Sequence, residues 1–400
     1  MANTPMGTKT IVENVFWVGV KDLNRRLFDG LIPLPHGTSY NAYLVVGSEK
    51  TALIDTVNPG FENELVDKVS QHADPAKLDY IVMNHAEPDH ANACSHMLSL
   101  AKDAKLVTSA KGKEAAMMYF GVPDDRIMVV DESSSIDLGG KTLKFVDAPW
   151  LHWPETIFTY VPEDRILFPC DFFGSHIAYG EFYADEFGNG HTLELAKLYF
   201  AEIMMPFRKP SMKAIEKVKA LDPKIIAPSH GVMYREPKLI IDAYTDWAGE
   251  KMKKKVLIAY VSMWGRTERM VKVLKESLIH KGIEVQAFDL TAMGIGEVAK
   301  QLVDSPVVVI AAPTVLGGVH PVAAYAALLT KTLRAPTKYA AILSSHGWSG
   351  GAVKQLGELL GGMKIEMLDV VDVKGPANDE EIQRVLKLAD TIEGKLAEFT

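Results

Sequence analysis

Apolar and polar positions along this chain change rhythm near residue 250. Before that point short apolar stretches dominate: Val15–Gly19, Tyr40–Val46, Thr51–Asp55, Tyr80–Met83, Lys105–Thr108, Ile127–Val130, Thr142–Val146, Ile157–Val161, Ile166–Phe168 and Ile225–Ala227. Runs this short, rich in Val, Ile and Tyr, read as strands. Helical spacing recurs between and after them, over Glu62–Gln71, Ala91–Ala101, Lys111–Tyr119, Leu193–Met205 and Met212–Ala220. This order predicts two sheets with helices on the outside. An amphipathic stretch, Pro237–Gly249, then gives way to a basic run, Lys251-Met252-Lys253-Lys254-Lys255, and to a fresh buried-strand pattern, Val256–Val261. A linker followed by a new apolar strand marks a domain boundary, which we place between residues 1–250 and 251–400.

Beyond the boundary the pattern alternates. Strands are expected at 256–261, 284–289, 307–312, 339–344 and 364–370, and helices at 267–280, 296–303, 321–332, 351–360 and 378–397. Five βα units of this length predict a parallel sheet covered on both faces.

Composition narrows the function. Of 400 residues, 48% are apolar and 24% charged, the profile of a water-soluble globular chain with two or three domains. The longest apolar runs, such as Val307–Pro313, fall far short of the roughly 18 residues a spanning helix needs, so no membrane segment is expected. Lys plus Arg number 43 against 51 Asp plus Glu, a net charge of −8, which disfavours nucleic acid and anionic membranes as partners. Met1–Thr10 shows no export-signal pattern. The two cysteines, Cys94 and Cys170, form neither a disulfide framework nor a CxxC pair nor a four-thiolate metal site. A reducing cytoplasm is the expected compartment.

The sharpest chemical signal is Asn84-His85-Ala86-Glu87-Pro88-Asp89-His90, directly after the strand pattern at Tyr80–Met83. In an extended loop His85, Glu87 and Asp89 point to one side, and His90 turns in where the backbone bends. Four ligand-type side chains in six residues can hold two metals. A solvated loop of chance composition is the bland alternative, and further candidates at strand ends or tight turns weigh against it. These are His152 in Trp150-Leu-His-Trp-Pro154, Asp171 in Pro169-Cys-Asp-Phe-Phe-Gly174, and His230 in Pro228-Ser-His-Gly231.

The pattern His-x-Glu-x-Asp-His, followed by His152, Asp171 and His230, resembles the metallo-β-lactamase fold. Hydrolases of that fold normally carry His at the third position of the motif, where this chain has Glu87. Exchanging imidazole for carboxylate makes the site harder and favours iron over zinc. The site therefore resembles that of the flavodiiron proteins, and the resemblance extends over essentially all 400 residues, because their second domain is flavodoxin-like. It implies an α/β chain, an N-terminal αββα sandwich followed by a doubly wound parallel sheet. It also implies two iron ions and FMN. One iron takes His85, Glu87 and His152; the other takes Asp89, His90 and His230; Asp171 bridges them. Family members differ in whether the histidine equivalent to His90 binds metal, so its role stays open. His176 is expected as a donor to a ligand, and Phe28, His176 and Tyr199 as pocket lining.

The same resemblance assigns three loops to FMN. Ser262-Met263-Trp264-Gly265-Arg266-Thr267 follows the first strand of the second domain and opens a helix, where hydroxyls and backbone N–H groups bind phosphate. There is no GxxxxGK, so a nucleoside triphosphatase is excluded. Pro313-Thr314-Val315-Leu316-Gly317 and Ser345-His346-Gly347-Trp348-Ser349-Gly350 lie where the flavin ring is expected. Arg266 replaces the small hydroxyl residues usual in the family, and Leu316–Gly318 stand where asparagines are frequent. Trp264 and Trp348 have the size to stack on the ring, with core packing the competing assignment for each. Gly294-Ile-Gly-Glu-Val-Ala299 matches GxGxxA, but it follows the second strand of its domain and lacks an acidic partner about twenty residues on, so it reads as a helix entry.

By resemblance the chain is an oxidoreductase that reduces O2 to water, NO to N2O, or both, at the di-iron site, with FMN relaying electrons. The donor is external, a rubredoxin-like protein or a reduced deazaflavin coenzyme. The resemblance also implies a head-to-tail homodimer or a dimer of dimers. The competing readings are a zinc-dependent hydrolase on the same ligands and a non-catalytic flavin electron carrier.

Overall fold

The structure, a computed structural model, describes residues 7–28, 32–249 and 251–399. Met1–Met6, part of the segment read for an export signal, lie outside these residues, as do 29–31, Glu250 at the expected boundary, and Thr400. Contacts divide the chain into two compact units, Met1–Phe200 with Phe207–Ala248, and Ala201–Pro206 with Gly249–Thr400. No helix among the described residues is long and apolar enough to cross a membrane.

In the first unit seven strands lie side by side: Lys9–Val12, Val15–Trp17, Tyr43–Val46, Thr51–Ile54, Tyr80–Val82, Lys105–Thr108 and Ile127–Val129. A second sheet runs Ser135–Asp137, Thr142–Asp147, Ile157–Val161, Ile166–Phe168 and Ile225–Ile226. Successive side chains of a strand face opposite ways, and this alternation sorts the apolar runs into two cores. Tyr43, Val45, Ala52, Ile54, Val82 and Val107 meet Phe145, Ile157, Ile166 and Phe168 between the sheets. Leu44, Leu53, Ile81, Met83 and Leu106 turn outward onto Leu65, Val69, Met97 and Leu98 of the helices Glu62–Val69 and Ala93–Leu100. The other sheet is tied to the helix Arg208–Leu221, where Lys217 Nζ donates to Asp147 O at 2.7 Å and the Tyr160 hydroxyl to Leu221 O at 3.1 Å.

Several elements differ from the sequence-based expectation. Lys9–Val12, Val20–Asp22 and Ser135–Asp137 are strands too short or too polar to stand out in the pattern. The stretch Tyr40–Val46 is two strands, Thr38–Tyr40 and Tyr43–Val46. Asn41 occupies the break. Its Nδ2 donates to Pro228 O at 2.8 Å and Gly231 O at 3.0 Å, and its Oδ1 accepts from Trp17 Nε1 at 2.8 Å. The apparent flaw in the strand is thus the tether of the loop that carries His230. The expected helix Leu193–Met205 is α-helical over Asn189–Tyr199 and continues as a π-helix over Phe200–Met204.

In the second unit the strands Glu284–Asp289, Lys255–Tyr260, Val307–Val315, Tyr339–His346 and Glu366–Lys374 lie in that spatial order, all parallel. This is the flavodoxin-like order, with its switch point beside the first strand. The third and fourth strands run further than the sequence suggested, to Val315 and His346, and the pair Pro313↔Ser345 makes part of two expected loops ladder. Gly318–Val319 folds back on Thr314–Val315 as an antiparallel flap. Lys255 was read as linker. It is instead a buried strand residue, with Nζ 2.8 Å from Asp304 Oδ1 and 2.5 Å from Gln301 Oε1.

Breaking a buried pair leaves an uncompensated charge, whereas replacing it with apolar groups is often neutral. Asp304→Ala is expected to destabilise the second unit by about 3 kcal/mol, and adding Lys255→Met is expected to recover most of that loss. Urea unfolding of the two variants measures both.

Candidate functional site

The seven sequence-derived ligand candidates converge, all from the first unit. Their ligand atoms fall into two groups, His85, Glu87, His152 and Asp171, and Asp89, His90 and His230, with the members of each group within 4.8 Å of one another. His85 and Glu87 follow the strand Tyr80–Val82, with Glu87 in extended backbone. Asp89 and His90 then sit in a short helix, Pro88–Ala91, not in the extended loop expected from the spacing. Pro88 at its first turn suits this, because its fixed φ matches a helix start.

Asp171 joins the groups through different oxygens. Its Oδ2 lies 3.4 Å from both His85 Nε2 and His152 Nε2. Its Oδ1 lies 2.9 Å from His90 Nε2 and 3.4 Å from His230 Nε2. Glu87 Oε2 lies 2.9 Å from His152 Nε2 and 3.2 Å from His85 Nε2. Asp89 completes the second group, with Oδ2 3.2 Å from His230 Nε2 and Oδ1 3.4 Å from His90 Nε2.

These atoms fit metal ions better than they fit one another. Both oxygens of Asp89, Oδ1 of Asp171 and the Nε2 atoms of His90 and His230 are buried without a hydrogen bond among the described residues. Each such group costs on the order of 1–3 kcal/mol when left unsatisfied. Close approach without hydrogen-bond alignment is what shared cations produce. The donors are imidazole and carboxylate, a set suited to iron. Cys170 Sγ also lies near His90 and Asp171, which sequence reasoning did not anticipate. Burial, then Asp55 and Asp171, push its thiol pKa well up.

Surrounding residues orient the imidazoles. The Nδ1–H of His85 donates to Glu155 Oε1 at 2.7 Å, and that of His230 to Ser39 O at 2.6 Å, which leaves both Nε2 atoms facing inward. Asn84, beside His85, is clamped by Asp55 through its backbone N–H at 2.8 Å and its Nδ2 at 2.9 Å. Gly231, at φ +78°, lets the His230 turn close on Ser175, whose Oγ would lie 2.1 Å from a Cβ. Sequence reasoning missed Glu155, Ser39 and Asp55, because none belongs to a spaced motif and each acts across the fold. His176 does not hydrogen-bond a ligand among the described residues. Its Nδ1 pairs with Thr38 Oγ1 at 2.9 Å, and its buried Nε2 has no partner among the described residues. Burial, then the neighbouring His230, hold it neutral. Phe28 and Tyr199 pack on it, with ring centroids 4.8 and 4.9 Å away.

Protonation states reflect the crowding. Burial opposes charge on His85, yet hydrogen bonds to Glu155 and Glu87 outweigh it and raise its pKa to about 10. His152 rises to about 10 against the same burial penalty, through Asp171 and Glu87. His90 rises to about 9, through Asp89 and Asp171. Glu87 and Asp171 are pushed down despite burial, by these imidazoles.

The second unit holds a cleft of about 380 Å³ at the carboxyl ends of its strands. Its wall comprises Ser262, Met263, Trp264, Arg266, Thr267, Pro313, Thr314, Ser345, His346, Gly347 and Trp348, all within the loops singled out from the sequence. Gly265, Val315, Leu316, Gly317, Ser349 and Gly350 do not reach this wall. Gly265 enters the helix Arg266–His280 at φ +75° without a side-chain cap, and the first turn of a helix offers N–H groups with no intrahelical partner. Ser262 Oγ accepts from Glu268 N–H at 3.2 Å, and Thr267 Oγ1 is already engaged with Ser345 Oγ at 3.0 Å. Trp264 and Trp348 are 83% and 93% exposed, so core packing is excluded for both. Gly351 permits the second and third loops to touch, since a Cβ there would lie 2.0 Å from Gly317 O.

Fold and site together define a metallo-β-lactamase-like domain with two groups of candidate metal ligands, followed by a flavodoxin-like domain. Residues 38–231 match the family model described as ODP family beta lactamase. The chain is 37% identical to the nitric oxide reductase of Moorella thermoacetica, over 97% of this chain and 98% of that protein. The solved rubredoxin oxygen:oxidoreductase from the anaerobe Desulfovibrio gigas superposes with a TM-score of 0.93 at 32% identity, over 98% of both chains. The flavodiiron protein from Giardia intestinalis superposes at 0.91 with 31% identity, also over 98% of both. This chain belongs to the flavodiiron protein family.

Raised histidine pKa values stabilise the metal-free protein fully below their unfolded value of 6.5, and that stability is lost as pH rises through 9 to 10. The melting temperature of metal-free protein is therefore expected to fall between pH 7 and pH 10, more steeply than that of the metal-loaded form. Scanning calorimetry at both pH values decides; parallel profiles count against the assignment. Glu155→Gln is expected to weaken metal binding about 10–100-fold by releasing His85, as outer partners of metal-bound histidines do. Titration against a competing chelator reads this directly.

Proposed function

We propose that this oxidoreductase reduces O2 to water, NO to N2O, or both, at a di-iron centre held by His85, Glu87, Asp89, His90, His152, Asp171 and His230. The observation that carries this reading is the division of Asp171, one oxygen toward each ligand group, which suits a carboxylate bridging two metals. These residues would hold iron and the cleft of the second unit would hold FMN, groups whose redox chemistry would supply the electrons for the reduction.

The chain's own residues set the conditions. Glu155 and Ser39 keep His85 and His230 in the tautomer that offers Nε2 to metal. Burial of His85, His90, Asp171 and His230 excludes bulk water from the ligand atoms. His176, neutral and with Nε2 unpartnered among the described residues, is available to hydrogen-bond a small oxidant beside the centre. In the second unit Arg266 and the start of its helix would hold the phosphate of FMN, and the exposed Trp264 and Trp348 on the cleft wall would lie against its ring. Electrons come from an external donor, a rubredoxin-like protein or a reduced deazaflavin coenzyme. A reducing cytoplasm suits the two free, buried thiols. A head-to-tail homodimer, or a dimer of dimers, brings one chain's flavin to its partner's irons.

The test is anaerobic reduction of the iron- and FMN-loaded protein with an artificial donor, followed at O2 and NO electrodes in separate runs. Consumption of either gas is expected. O2 loss alone means oxygen scavenging, and NO loss alone means removal of nitric oxide. A protein holding two irons and FMN that consumes neither overturns the proposal.

A further inference from the structure

His346 ends the fourth strand of the second unit and lies on the wall of the cleft. Its Nδ1–H donates to Asp372 Oδ1 at 3.0 Å. Asp372 comes from the neighbouring strand, Glu366–Lys374, in register with Ser344. The backbone secures the same corner, since Gly375 N–H donates to His346 O at 2.8 Å. Gly350 closes over the pair, its position 3.3 Å from Asp372 Oδ2 and 3.7 Å from His346 Nδ1 measured from where a Cβ would be. An imidazole held at Nδ1 has one tautomer, with Nε2 as its basic nitrogen. Other charged groups about it are Lys374, opposite His346 in the ladder, and Arg266, from another part of the cleft wall.

We propose that Asp372 is a positioning residue that tunes the flavin through His346. Asp372 fixes the ring so that Nε2 is presented to the flavin as a proton acceptor. Two electrons from the external donor bring one proton to the isoalloxazine ring, leaving one negative charge on it, and a second proton to His346 Nε2. The resulting imidazolium balances that charge, so the pair favours reduced over oxidised FMN. The inference rests on the reading of the cleft as an FMN site and adds to it a residue, Asp372, that does not itself line the wall.

The experiment is spectroelectrochemical titration of the full-length, FMN-loaded protein at pH 7. Asp372→Asn is expected to lower the affinity ratio of reduced to oxidised FMN about tenfold, which for a two-electron couple is about 30 mV in midpoint potential. His346→Gln is expected to shift it in the same direction. In the double variant Asp372→Asn is expected to add nothing, because its effect passes through His346. An unchanged potential in Asp372→Asn, or an equal further shift in the His346→Gln background, overturns the proposal. Should Asp372→Asn fail to retain FMN, His346→Gln alone decides, and an unchanged potential there overturns it. Failure of the unaltered protein to bind FMN removes the cleft reading itself, a result distinct from a flavin that binds and is not tuned.

Discussion

Asp171 is a buried carboxylate surrounded by four imidazoles, and the first unit is arranged about that concentration of charge. Removing an ion from water costs several kcal/mol even after relaxation. Such a cluster persists only if opposing charge enters it, either as protons on the histidines or as metal cations. Pairing each carboxylate with one imidazole would satisfy the protons, yet Asp171 presents its two oxygens to different groups. The unsatisfied atoms of Asp89, His90 and His230 follow from the same geometry. Cations resolve the crowding with fewer compromises than protons do.

Delivering these side chains to one place requires the two-sheet frame. The strands Tyr80–Val82 and Ile166–Phe168 belong to different sheets and end near one another, so their following residues, His85 to His90 and Asp171, meet. The pleat that buries Val82 between the sheets and Ile81 against the helices makes this register hard to slip, because a one-residue shift would exchange the two cores. Local strain accompanies the delivery. Asp55, Trp150 and Cys170 all have positive φ, at 54°, 68° and 50°, in or beside the segments that carry or clamp ligands. Each such residue costs on the order of 1–3 kcal/mol and persists where surrounding contacts over-determine it, as the Asn84 bonds do for Asp55.

The second unit solves a different problem. Its cleft is shaped by backbone more than by ligand-type side chains. Gly351 allows two loops to touch, Gly265 turns the chain into a helix, and Ser262 serves the first turn of that helix. Thr267 and Ser345 spend their hydroxyls on each other, which braces the first loop against the third. The bulky residues Trp264 and Trp348 contribute little to the core and much to the rim.

Local chemistry and periodicity in the sequence determined the α/β pattern, the change of rhythm near residue 250 and the seven ligand candidates, while the family resemblance assigned the three cleft loops. Those features depend on residue type and near spacing, which a single chain displays directly. Element ends were less legible. The parallel ladder extends through Pro313 and Ser345 because neighbouring strands pair there, and Lys255 is buried because Asp304 meets it, facts that belong to the partner strand or helix. Tertiary structure alone decided which oxygen of Asp171 faces which group, that Glu155 and Ser39 orient histidines far from them in sequence, that Cys170 lies beside the candidate ligands, and that Asp372 holds His346. Each of these is a contact across the fold, and its geometry is set by how sheets and loops pack, which no spacing along the chain records.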